Sequence, residues 1–116
     1  ERLAEKAVYS VTESGRAYFN GLMDAIAGQE VPLTFNFNVV VANLNKLDRP
    51  RALELIGRLR GSIEASAAKS SGYADMYADI PLVGRTVFEQ QRLLYGALLE
   101  WLDAFAVQFA SEGDGP

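Results

Sequence analysis

This 116-residue chain contains no histidine and no cysteine, so its carboxylates are the first residues to consider for acid and base chemistry. Imidazole bases, thiolate nucleophiles, disulfides and the usual zinc or haem ligands are therefore excluded. Asp75, Asp79, Glu89, Glu100 and Asp103 are the carboxylates on which acid and base roles would have to fall. Glu100 and Asp103 lie on the polar strip of a helical pattern, where solvated carboxylates belong. No glycine-rich phosphate loop, nucleophile elbow or acidic run with calcium-loop spacing is present. The expectation is a protein that is not an enzyme and carries no metal or cofactor.

Fifteen acidic against eleven basic residues give a net charge of −4, which argues against a nucleic-acid surface covering most of the chain. One hydrophobic core is the scale set by the length. The longest apolar runs, such as 39–42, fall far short of the ~20 residues that span a bilayer, and no secretory leader opens the sequence. A cytoplasmic protein without a membrane segment is expected. The chain opens on Glu1, in what reads as the middle of a β element, so an excised piece is also expected.

The side chains must be positioned by helices. Lys6 to Thr12 is β-branched and aromatic enough for a short edge strand, with Tyr9 and Val11 on one face. Thr12 then offers an N-cap, Glu13 favours the helix dipole, and Tyr18, Phe19, Leu22, Met23 and Ile26 recur at helical spacing up to Gly28. The segment 33–39 alternates with a period of two and by itself reads as a strand. Continued through Val40, Val41, Leu44 and Leu47 it drifts to helical spacing, and it is assigned as a helix over 34–46.

Asp48 and Pro50 mark a helix start, followed by a seam of Ala52, Ile56, Leu59, Ile63 and Ala67. Ser70, Ser71 and Gly72 leave open whether 50–80 is one helix or two. The span 83–110 has no proline and reads as one long helix. Its polar strip is narrow (Glu89, Arg92, Gly96, Glu100, Asp103), and a helix this apolar needs partners on two sides, the second of which is expected to be another copy of the chain. Gly57 and Gly61 have the small-residue spacing of close helix packing, expected here within one subunit.

The run Lys6, Val8, Tyr9, Val11, Thr12 and Gly15 resembles the K-x-V-Y-x-[IVL]-T-x-x-G pattern at the end of the winged helix-turn-helix domain of PadR-like transcriptional regulators. In that pattern the second wing strand leads into the next helix. Glu100-Trp101-Leu102 is a compressed version of a Glu-x-x-Trp-Leu-like stretch in the last helix of longer relatives. The helix-turn-helix and the first wing strand have no counterpart in this sequence. The resemblance implies the dimerisation and effector-sensing part of a bacterial regulator whose DNA reader lies N-terminal to it, with 1–12 a wing remnant, 13–110 the helical domain and 111–116 a disordered tail.

On that basis the fold class is all-α, with about four helices, a long C-terminal helix and a short N-terminal strand remnant. Arg2 and Lys6 are the candidate wing contacts to DNA phosphates in the parent protein. Phe35, Phe37, Tyr95 and Trp101 are candidates for binding a small hydrophobic or aromatic effector, with Asn36, Asn38 or Gln91 as polar contacts. Tyr18, Leu22, Leu94, Leu98, Trp101, Leu102 and Phe105 are the candidate homodimer interface. The competing reading is a free-standing helical protein–protein interaction module without a DNA role.

Overall fold

A computed structural model describes residues 12–112, and every regular element among them is helical. The expected wing strand, with Arg2 and Lys6, lies outside the described residues. The chain divides at Thr34 into two compact units.

In the first unit, α1 spans Glu13–Ala27. Thr12 stands in extended backbone (φ −71°, ψ 164°), and its hydroxyl accepts the Gly15 N–H at 2.9 Å, satisfying one of the donors a helix start leaves free. The Thr-x-x-Gly spacing is thus a working N-cap. Gly28 and Gln29 close the helix by donating to the Asp24 and Ile26 carbonyls. No residue of α1 is buried, and Tyr18, Phe19, Leu22, Met23 and Ile26 are all exposed.

The second unit is built on two long antiparallel helices, α3 (Arg49–Met76) and α4 (Leu82–Glu112), preceded by the short α2 (Asn38–Ala42) and a 3₁₀ turn, Leu44–Lys46. The helix expected over 34–46 is therefore broken in two. Asn43 leaves helical geometry (φ −115°, ψ 9°), and its side-chain amide donates to the Val39 carbonyl at 2.7 Å, ending α2 with a local bond that competes with helix continuation.

Helix α3 starts as its sequence predicts, with the Asp48 carboxylate accepting the Arg51 N–H at 2.9 Å and Pro50 in the first turn. It runs unbroken through Ser70, Ser71 and Gly72, so 49–76 is one helix. Packing against α4 outweighs one glycine's modest propensity cost. The seam faces α4, with Ala52, Ile56 and Ile63 buried beside Leu44, Leu102 and Phe109. Gly57 and Gly61 do not contribute to that packing as expected: both are exposed, and a Cβ at either would meet nothing within 4 Å.

Helix α4 extends beyond the expected 83–110. Ser111 and Glu112 belong to it rather than to a tail, and the Ser111 hydroxyl donates back to the Gln108 carbonyl at 3.2 Å. By length and composition α4 could cross a membrane, its most apolar window reaching a mean hydropathy of 1.3, although no uninterrupted apolar run in it is long enough. Asp103 of this helix is paired with Arg60 of α3.

Candidate functional site

The register of the α3–α4 pair is set by four polar and aromatic contacts. Arg49 reaches the carbonyls of Phe109 and Ala110. Arg60 donates from Nε to Asp103 at 2.7 Å and also pairs with Glu64. Ser70 Oγ lies 2.8 Å from Gln91 Oε1, and the Tyr77 and Phe88 rings stack at 6.1 Å. Gln91, expected as an effector contact, thus ties the two helices together.

The hydrogen bond from Arg60 holds the Asp103 carboxyl below its ordinary value, and Arg92 does the same for Glu89. Both arginines are pushed further towards the charged form by the carboxylates they bond. These carboxylates are ion-paired, not poised near neutrality as a general acid or base would be.

The four expected effector residues do not converge. Phe35, Phe37 and Trp101 come together with Phe105 and Phe109 in one continuous aromatic file, at centroid spacings of 5.2, 6.1, 6.3 and 5.8 Å along the series. The rings fill one another's faces, which is the geometry of packing. Tyr95 lies elsewhere, in a cavity of about 530 Å³ between the C-terminal half of α3 and the N-terminal half of α4. It is lined by small residues including Ala67, Ala74 and Gly96, by the Phe88 and Tyr95 rings, and by the charged Asp75, Arg85, Glu89 and Arg92. Of these, only Tyr95 among the effector candidates and Asp75 and Glu89 among the carboxylates are legible as candidates in the sequence. The remaining signal is Arg85 and Arg92, seven residues apart and so on one helix flank, but it means little before the register with α3 is known.

The expected interface residues also separate. Tyr18 and Leu22 are 70% and 43% exposed on α1. On α4, Leu94 is 46% and Trp101 39% exposed, whereas Leu102 is only 1% exposed. Leu98 and Phe105 pack half-buried against the same core. Leu102 therefore belongs to the interior of a single chain and is removed from any surface between copies. Trp101 is partly covered by Phe37 and Phe105, and among the apolar residues α4 leaves open, Val83, Val87 and Leu94 share one flank, at spacings of four and seven. The polar strip of α4 lies on the opposite flank, along the cavity and the Arg60–Asp103 pair.

Comparison with known proteins finds no matching family model, no matching curated protein and no matching solved structure.

Proposed function

We propose that this chain is the dimerisation and effector-sensing part of a cytoplasmic transcriptional regulator similar to PadR-like proteins. It would act as a homodimer, bind DNA through a winged helix N-terminal to it, and catalyse no reaction. The observation that carries the reading is the open apolar flank of α4, with Val83, Val87 and Leu94 between 46% and 78% exposed while α3 packs against another face. A flank of that composition at heptad-like spacing is suited to a second helix from a partner copy. The working cap at Thr12 supports the helix start in the Thr-x-x-Gly part of the pattern on which the resemblance rests. An effector would act by favouring one arrangement of the two copies, and with it the spacing of the two DNA readers.

Light scattering across a concentration series tests the assembly. A dimer that Leu94→Glu converts to a helical monomer is the expected result, and a monomer at all concentrations overturns it. For the parent regulator, operator affinity should fall when 83–110 is removed. A parent chain that binds no DNA would leave the interaction-module reading in its place.

A further inference from the structure

The charges around the α3–α4 cavity can be accounted for one by one. Glu89 and Arg92 neutralise each other through two hydrogen bonds, the first Nε to Oε1 at 2.9 Å. Arg85 donates Nε to the Ile80 carbonyl at 3.0 Å. That bond fixes the plane of the guanidinium and leaves its terminal N–H groups without a carboxylate among the described residues. Asp75, on the last turn of α3, has neither an ion pair nor a side-chain hydrogen bond among them. The cavity therefore carries one oriented cation from α4, one carboxylate from α3, and an apolar interior walled by Phe88 and Tyr95.

A purely anionic ligand would meet Asp75, and a purely cationic one would meet Arg85. A molecule carrying both an ammonium and a carboxylate satisfies the two at once, and planar bidentate recognition of carboxylate is what guanidinium does best. The volume of about 530 Å³ lies within the usual range of small-molecule sites and leaves room for a dipeptide with an apolar side chain. We propose that this cavity binds a short zwitterionic peptide or large apolar amino acid, with Arg85 holding the carboxylate, Asp75 the ammonium, and Phe88 and Tyr95 the side chain. As an effector site it rests on the regulator reading above; as a binding site it does not.

Titration calorimetry on the whole chain, with the dipeptide alanyl-phenylalanine as probe, tests the assignment. N-acetylphenylalanine, which lacks the ammonium, and alanyl-phenylalanine amide, which lacks the carboxylate, serve as half-ligands. Loss of one charge-assisted contact should weaken binding by ~10-fold or more, so each half-ligand should bind that much more weakly than the probe. Arg85→Gln and Asp75→Asn should have the same effect, with helicity by circular dichroism unchanged and Asp79→Asn as a control that binds normally. Equal affinity for probe and half-ligands overturns the proposal, as does absence of binding at millimolar probe. Binding by the chain without any change in operator affinity of the parent protein would keep the site and reject its effector role.

Discussion

The guanidinium of Arg49 sits 5.7 Å from the centre of the Phe109 ring and donates to the Phe109 and Ala110 carbonyls, a contact between residues 60 and 61 positions apart in the chain. The first residue of α3 thereby caps the last turns of α4, where unpaired carbonyls and the helix dipole favour a cation. Arg49→Ala is expected to cost about 1 kcal/mol and to accelerate amide exchange in the last turn of α4. Denaturant titration and hydrogen exchange measure the two effects. An unchanged exchange pattern would mean that the last turn holds itself.

Leu102 and Leu94, both on α4, predict opposite behaviour. Leu102 is almost fully buried, so Leu102→Ala should destabilise the fold by about 2–5 kcal/mol. Leu94 stands on the open flank, and Leu94→Ala should leave folding of the single chain nearly unchanged while weakening self-association by about tenfold. Chemical denaturation and sedimentation separate the two readouts.

The ion pair between Arg60 and Asp103 carries a pH dependence of known sign. Asp103 is held below its ordinary value by the hydrogen bond from Arg60. Its contribution is therefore complete above the unfolded carboxylate value of about 4 and is lost as pH falls through the lower folded value. Asp103→Asn should flatten the fall in melting temperature below pH 4, and because the pair is exposed the difference should shrink in high salt. A fall as steep in the variant as in the native chain would assign the acid sensitivity to other carboxylates.

Gly57 discriminates between a free face and an interface. With open space around it, Gly57→Ala should stabilise α3 by about 0.5–1 kcal/mol through helix propensity and reduced unfolded-state entropy. If a second copy approaches the helix there, the same change weakens the dimer, which thermal melts at two protein concentrations would reveal.

The elements were largely legible from local chemistry. Thr12 and Asp48 accept backbone N–H groups three residues ahead, Pro50 tolerates the first turn, and the Ala52 to Ala67 seam repeats at helical spacing. All of these are properties of a few neighbouring residues, which is why the two strongest starts and the long last helix read correctly. The 34–46 segment did not, because the outcome depended on one side-chain bond from Asn43 competing with the ladder.

The site was legible only in part: Tyr95, Asp75 and Glu89 stood out as residue types, but not that they meet, since its members belong to different helices. Periodicity and composition alone established a helical fold for the described residues, the lack of imidazole and thiol chemistry, and a long apolar last helix. Only the antiparallel register of α3 and α4 decided which residues meet: Arg49 with Phe109, Arg60 with Asp103, and Asp75 and Arg85 in the lining of one cavity. The same register buried Leu102 while leaving Leu94 open. Helical periodicity defines the faces of one helix, but which face another helix covers follows from how side chains of both interlock, and no single helix contains that information.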